Sequence, residues 1–305
     1  MMNLDSVTTS LKRLKVAKQG APASRTSGTL GVCSSALAAC MVLTNMGASF
    51  SASAEASLAE QSQNPISSLI SLPFEFDSNQ NVGLDEKTQN VLLIKPVVPV
   101  PISPNWNLVL RGIFPIIDQP SSGPTKSDTG LGDIQLQTFF VPKATIPIAK
   151  DGFLTWGIGP IFQFDTASSE VLGTGRTSVG INGVVFAGIK PWTFGALVSN
   201  IWSVGSDSTR EDGTSDAVNL LTVQPILNYN LANGWYLKSA PIITHNWDGE
   251  SGDRWTIPIG GGFGRVFKMG KQNVNASLTG YGYLDRPDYA TDLQIQAQVT
   301  FLFPK

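Results

Sequence analysis

The chain has 305 residues, of which 42% are hydrophobic and only 14% are charged, and its formal net charge at pH 7 is −2. A weakly acidic chain without a basic patch is not expected to bind nucleic acid. The chain has two cysteines, Cys33 and Cys40, and one histidine, His245, so a zinc site built from cysteine and histidine is not expected.

Residues 1–54 have the pattern of a secretory signal peptide. A basic lead precedes a stretch rich in small and apolar residues at 28–46, and Ala-Ser-Ala at 52–54 fits the small-x-small sequence that signal peptidase cuts. Two alternatives stay open: a transmembrane anchor, or a lipoprotein box in the Leu-Ala-Ala-Cys sequence at 37–40, with Cys40 lipidated. The long lead also leaves open a translation start after Met1.

Residues 55–68 are polar and small, and we predict that they form a periplasmic lead or a short plug. Residues 69–305 are predicted to form an outer-membrane β-barrel. The clearest strand is the last one, in which apolar residues alternate with glutamine and threonine from Leu293 to Phe303. A period of two places these sets on opposite faces of a strand, and the length suits a tilted membrane strand with one polar face.

Similar runs predict an all-β fold, a transmembrane antiparallel barrel of about twelve strands. The predicted strands are 69–76, 90–98, 104–114, 130–140, 152–164, 176–189, 192–204, 216–230, 234–245, 254–267, 271–284 and 290–303. Pro73 suggests an edge-like first strand, since proline cannot donate a ladder hydrogen bond. For the same reason the prolines inside other strands are expected at bulges or weakly paired positions: Pro96, Pro160, Pro225, Pro241 and Pro258.

The breaks between the predicted strands alternate in type. Short or proline-bearing breaks are expected at 99–103, 141–151, 190–191, 231–233 and 268–270, and longer polar loops at 77–89, 115–129, 165–175, 205–215, 246–253 and 285–289. Outer-membrane barrels have short periplasmic turns and longer outer loops, so an even strand number would place both termini in the periplasm. A soluble β-sandwich, the alternative, gives no reason for this sorting.

The tryptophans support the same orientation. One group lies early in strands that follow a short turn, and the other lies beside long loops. We predict that these groups form two aromatic girdles at the level of the lipid headgroups. The first comprises Trp106, Trp156, Trp192 and Trp235, and the second comprises Trp202, Trp247 and Trp255.

Three basic residues, Lys95, Arg111 and Lys238, fall on the predicted lumen face of their strands. A ring of basic side chains in a narrow pore would favour anions. The alternative is that these residues pair with inward acids such as Glu75 or Asp165, or with a plug, and only fill the barrel. An unpaired buried charge would be costly, which favours pairing.

The sequence predicts no cofactor, no metal site and no catalytic residue. Gly260 to Gly264 lies in a strand pattern without a following helix, so it does not match a dinucleotide-binding loop and is expected to allow a bend. A lipid-modifying enzyme would need a serine and an orienting polar group beside His245. We expect instead an interfacial histidine next to Trp247. The acidic outer loops are expected to be solvated.

Several short motifs are spread over nearly the whole predicted barrel. They include Asn-Pro-Ile at 64–66, Gly-Leu-Gly-Asp at 130–133, Trp-Gly-Ile-Gly-Pro at 156–160, Trp-Thr-Ile-Pro at 255–258 and the closing Leu-Phe-Pro-Lys. On these motifs the chain resembles a bacterial outer-membrane family that genomes label "transporter" or "neuromedin U", grouped with barrels of the MetA pathway of phenol degradation. The resemblance implies a barrel that passes small, often hydrophobic, compounds, and it implies no binding residues.

The patterns and the resemblance together predict a passive channel or transporter for small molecules in the outer membrane of a Gram-negative-type bacterium. Its expected partners are outer-membrane lipid and a small-molecule solute, and the patterns leave the oligomeric state open. Two alternatives remain: a non-conducting structural or surface-binding barrel, and an outer-membrane lipid-modifying enzyme.

Overall fold

The computed structural model describes residues 52–123, 125–205 and 217–304. In these ranges one α-helix, α1 (Ala52–Gln63), precedes sixteen strands. The strands of the first half are β1 (Ile70–Val82), β2 (Lys87–Ile94), β3 (Val97–Pro101), β4 (Trp106–Gln119), β5 (Asp128–Leu131), β6 (Gln135–Pro142), β7 (Ile146–Ile148) and β8 (Gly152–Gln163). The second half contains β9 (Ser178–Ile189), β10 (Trp192–Ser203), β11 (Asn219–Asn230), β12 (Trp235–Ser239), β13 (Ile243–Asn246), β14 (Trp255–Met269), β15 (Gln272–Asp285) and β16 (Leu293–Phe303). A 3₁₀ turn at Ala232–Gly234 joins β11 to β12.

The strands form a closed barrel with twelve positions in its wall, which confirms the predicted fold class. Three positions are interrupted: β2 and β3 share one, β5, β6 and β7 share another, and β12 and β13 share a third. Each wall position pairs antiparallel with the next along the chain, and β1 closes the barrel by pairing with β16. Closure leaves no free strand edge, which a wall surrounded by lipid requires.

Side chains alternate between the two faces of the wall, as the period of two predicted. In β8, Trp156 and Ile158 are exposed, whereas Thr155, Gly157 and Ile161 are buried. In β16 exposed apolar positions from Leu293 to Val299 alternate with glutamine and threonine positions from Gln294 to Thr300 that are buried or half-buried. The barrel therefore presents an apolar outer face and a more polar inner face.

The first two strands are longer than the sequence indicated. β1 continues to Val82 and β2 begins at Lys87, so the predicted loop at 77–89 is wrong. The outward residues Ser78 and Gln80 are polar, so the alternation of apolar and polar residues that marked the strand is lost before the strand ends. β4 likewise continues to Gln119, which shortens the loop predicted at 115–129.

Proline positions coincide with gaps in the hydrogen-bonded ladders. Pro73 was expected to make its strand an edge, and this is wrong because β1 pairs on both sides. Pro73 lies opposite the interruption between β2 and β3, which contains Pro96. The prediction for the other strand prolines is confirmed. Pro241 lies between β12 and β13, Pro225 lies opposite that interruption, Pro258 follows a register shift, and Pro160 lies where the β6–β8 pairing is discontinuous.

The segment from α1 to residue 68 lies against the inner wall. Leu58 and Ala59 of α1 pack in a buried cluster with Tyr236, Val266 and Leu302. Ile66 packs on another part of the wall, in a buried cluster with Val97, Val109, Phe139, Val141, Val184 and Leu197. Because the two clusters belong to different sets of strands, the segment crosses the barrel interior.

Candidate functional site in the lumen

A cavity of about 140 Å³ lies inside the barrel, between the wall and the segment that follows α1. Its charged lining residues are Glu75, Lys95, Arg111 and Lys238. Polar side chains, among them Gln224, Gln296, Gln298, Asn275 and Thr300, line the same space. The three basic residues predicted for the lumen thus meet at one cavity, together with the acid that was the alternative partner for them.

Strand register brings these side chains to the same face. Ser71 of β1 is paired with Val97 of β3, Val97 with Arg111 of β4, and Arg111 with Gln137 of β6. Directly paired residues share a face of a sheet, so Arg111 points the same way as Gln137. Lys238 reaches the cavity from β12, where it is paired with the buried Asn228.

The three cations differ in their partners. The Lys95 ammonium forms an ion pair with the Glu75 carboxylate at 2.5 Å, and both side chains are buried. The Arg111 guanidinium donates to Gln137 Oε1 at 3.1 Å, and the Lys238 ammonium donates to Gln298 Oε1 at 3.0 Å. Within the described ranges, neither Arg111 nor Lys238 forms an ion pair. Asp165, the other acid considered as a partner, is exposed.

Sequence reasoning placed the glutamines of the last strand on a polar face, but it singled out no neutral residue as part of a site. Gln137, Gln298 and Asn275 are polar residues at inward positions, which occur at every second residue of a strand, so the period of two could have identified them as candidates. It could not have ranked them, because every strand offers such positions. Asp77 lies two residues beyond Glu75 on the same face of β1, opposite Gln296, and was not singled out either.

A second cavity, of about 380 Å³, lies at the end of the barrel that carries the short turns. Residues 61–67 separate it from the charged cavity, because Gln61, Asn64 and Ser67 line both. Gln63 fixes this segment to the wall by accepting a hydrogen bond from Thr193 at 2.6 Å and donating one to Asn230 at 2.8 Å. Burial raises the pKa of the Glu60 carboxyl in α1, and the charge of Lys190 partly opposes this shift.

All seven tryptophans are exposed on the barrel. Trp106, Trp192 and Trp235 are the first residues of β4, β10 and β12, and the Trp106 ring contacts Trp156 edge to face at 6.0 Å. Trp202, Trp247 and Trp255 lie at the opposite end of the barrel: Trp202 near the end of β10, Trp247 just after β13 and Trp255 at the start of β14. The Trp247 indole nitrogen donates to Asn200 Oδ1 at 2.9 Å.

His245 lies between two indole rings, with ring centroids 4.5 Å from Trp247 and 4.2 Å from Trp255. It is paired with Trp255 across the β13–β14 ladder, so its side chain shares the outer face. Its Nδ1 atom has no hydrogen-bond partner among the residues that the structure describes. Across those same residues, no cluster of three or more metal-ligating side chains occurs, and no helix is long and apolar enough to cross a membrane.

No protein-family model matches the chain, and neither does any curated protein sequence. Among solved structures, the chain is similar to the COG4313 outer membrane channel from Pseudomonas putida F1, with a TM-score of 0.54 and 15% identity over 77% of this chain and 95% of that chain. The NanC porin gives a TM-score of 0.46 at 10% identity, over 77% of this chain and 100% of that one. Outer membrane phospholipase A from Escherichia coli gives 0.42 at 14% identity, over 77% and 92%.

The first of these similarities establishes the fold, that of an outer-membrane barrel, and nothing finer. The family label suggested by the sequence motifs therefore stays a prediction.

Proposed function

We propose that this protein is a passive channel for small molecules in the outer membrane of a Gram-negative-type bacterium. The observation that supports this most directly is the closed twelve-position barrel with an apolar outer face and a polar, charged cavity inside. Backbone polar groups inside a membrane must find their hydrogen bonds within the protein, and a closed wall of paired strands meets this requirement. The lumen of the barrel offers a route for a polar solute.

In this proposal residues 1–54 direct export and are removed, and residues 55–68 act as a plug in the barrel formed by 69–305. The exposed tryptophans at the two strand ends form the girdles that contact lipid headgroups. Lys95, Arg111 and Lys238 line the narrow part of the lumen and give it a preference for anions. Passive diffusion requires no catalytic residue and no cofactor, and the chain is proposed not to be an enzyme.

The test is single-channel conductance of the refolded protein in a planar bilayer, with reversal potentials measured in a salt gradient. We expect discrete openings with an anion preference that falls in Lys95→Ala and Arg111→Ala. Lys150→Ala, at an exposed turn, is the matched control and should behave as the wild type. Each variant is first checked for a heat-modifiable barrel by electrophoresis. A folded barrel that never conducts would contradict the channel.

A second candidate, a non-conducting barrel, is favoured by the position of the segment 61–67 between the two cavities. Deleting residues 55–67 from the mature protein discriminates between the candidates. A plugged channel should gain conductance on this deletion, whereas a barrel whose wall side chains alone close the lumen should stay silent.

A further inference from the structure

We propose that the 140 Å³ cavity binds a small organic carboxylate between the Arg111 guanidinium and the Lys238 ammonium. The proposal rests on the proposed function only for the route by which the solute arrives. The cavity, its charges and its lining residues are independent of whether the solute then crosses the membrane.

The first argument is the charge around the cavity. Three cations, Lys95, Arg111 and Lys238, line the cavity with Glu75. Asp77 lies two residues beyond Glu75 on the same face of β1, so these five residues carry a formal charge of +1. The Glu75 carboxylate is committed to Lys95. In the described part of the chain, Arg111 and Lys238 donate to glutamine oxygens and form no ion pair. Both cations are half-buried and only partly solvated, so a monovalent anion would be stabilised beside them.

The second argument is the chemistry of the donors. A guanidinium presents its N–H groups in a planar fork that matches the two oxygens of a carboxylate, and an ammonium adds a point charge beside it. Gln224 and Gln296 also line the cavity and can donate amide hydrogens. A dianion such as phosphate would overcompensate the single positive charge.

The third argument is size and polarity. Apolar residues, namely Leu69, Val97 and Ile226, line part of the same cavity, so the ligand can carry an apolar group. An apolar cavity of about 150 Å³ is known to hold benzene, so a volume of about 140 Å³ suits an acid with a body no larger than a single six-membered ring. Benzoate is therefore a suitable probe, and benzamide is its neutral counterpart of nearly the same shape.

The experiment is calorimetric titration of benzoate into the refolded protein in detergent micelles. We expect benzoate to bind at least about tenfold more tightly than benzamide, because hydrogen bonds to charged donors are the stronger ones. Arg111→Gln and Lys238→Gln should each weaken benzoate binding by about tenfold or more. Lys150→Gln makes the same change of charge at an exposed turn and should leave binding unchanged.

A variant expected to act in the opposite direction guards against a mere loss of folding. Glu75→Gln removes the partner of Lys95 and adds one positive charge to the cavity, so benzoate should bind more tightly than to the wild type. The proposal is overturned if benzamide binds as tightly as benzoate, if Arg111→Gln and Lys238→Gln bind it like the wild type while folded, or if folded Glu75→Gln binds it more weakly.

The outcome is separable from that of the conductance test. Benzoate binding to a barrel that never conducts would support the carboxylate site and contradict the channel. Conductance without any benzoate binding would support the channel and contradict the carboxylate site.

Discussion

At the scale of single residues, Glu75 and Lys95 form a buried ion pair in the lumen. Glu75 is 4% exposed and Lys95 is 8% exposed, so neither is solvated by bulk water. Removing one partner of a buried pair leaves the other charge uncompensated, which costs more than the pair itself contributes. Arg111 and Lys238 line the same cavity and reduce this penalty for Glu75 when Lys95 is removed.

Lys95→Met should lower the free energy of unfolding by about 3 kcal/mol, the low end of the range for a broken buried pair. The double variant Glu75→Leu/Lys95→Met should recover most of the loss, because no buried charge of the pair remains. Denaturant unfolding in micelles measures both variants, and Lys150→Met serves as the control. A double variant no more stable than the single one would show that the pair is not the source of the loss.

Gly234 combines a positive φ of 74° with a lack of space, because an added Cβ would overlap the Val266 carbonyl group. Gly270 has a similar φ of 62° but open space around it. Gly270→Ala should therefore cost about 1 kcal/mol from backbone strain alone, and Gly234→Ala should cost about 2 kcal/mol more. Unfolding midpoints compare the two variants, and equal losses would contradict the role of the Val266 contact.

At the scale of elements, α1 is held to the barrel by few apolar contacts. The larger of its two buried side chains in the cluster is Leu58, which is 8% exposed. Leu58→Asp would bury a carboxylate beside Tyr236 and Val266, so α1 should detach from the wall. We expect higher conductance and faster proteolysis near α1, measured in bilayers and by limited digestion. Leu84→Asp, at an exposed turn position, should change neither, and a protected α1 in Leu58→Asp would refute this attachment.

The sequence predicted the strands better than it predicted α1. Wall strands face lipid on one side and polar groups on the other, so their alternation is readable wherever lipid imposes it. It was lost at Ser78 and Gln80, where the outward residues become polar although the ladder continues. The α1 segment lacks a marked apolar face, because only Leu58 and Ala59 of its described side chains are buried, so no helical period stood out.

At the scale of the whole molecule, the apolar outer face should tolerate charge only outside the hydrocarbon layer. Val185 is 48% exposed in the middle part of β9, and Val204 is 52% exposed just beyond the end of β10. In liposomes, Val185→Arg should cost about 2–4 kcal/mol of unfolding free energy and Val204→Arg no more than about 1 kcal/mol. Reversible unfolding by guanidinium measures both, and equal costs at the two depths would be inconsistent with a membrane-spanning wall.

The lumen shows where prediction from sequence stopped. The prediction that Lys95, Arg111 and Lys238 face the lumen followed from the period of two. Their convergence on one cavity depends on the register of wall positions that are distant in the chain. The commitment of Glu75 to Lys95, which leaves the other two cations with amide partners, follows from distances that no local pattern encodes. The fold class could therefore be predicted from local sequence patterns, whereas the arrangement of the site could not.

The closure of the barrel through β1 and β16 has a mechanical consequence. This ladder runs from Ile70 opposite Phe303 to Gln80 opposite Leu293. Among the described strands, it joins two wall positions that are not consecutive in the chain, so no hairpin connects them. Force applied to the carboxyl end should shear this seam first. The remaining wall should then be extracted in hairpin-sized lengths, and each step would leave a new edge in lipid, which only renewed pairing could seal.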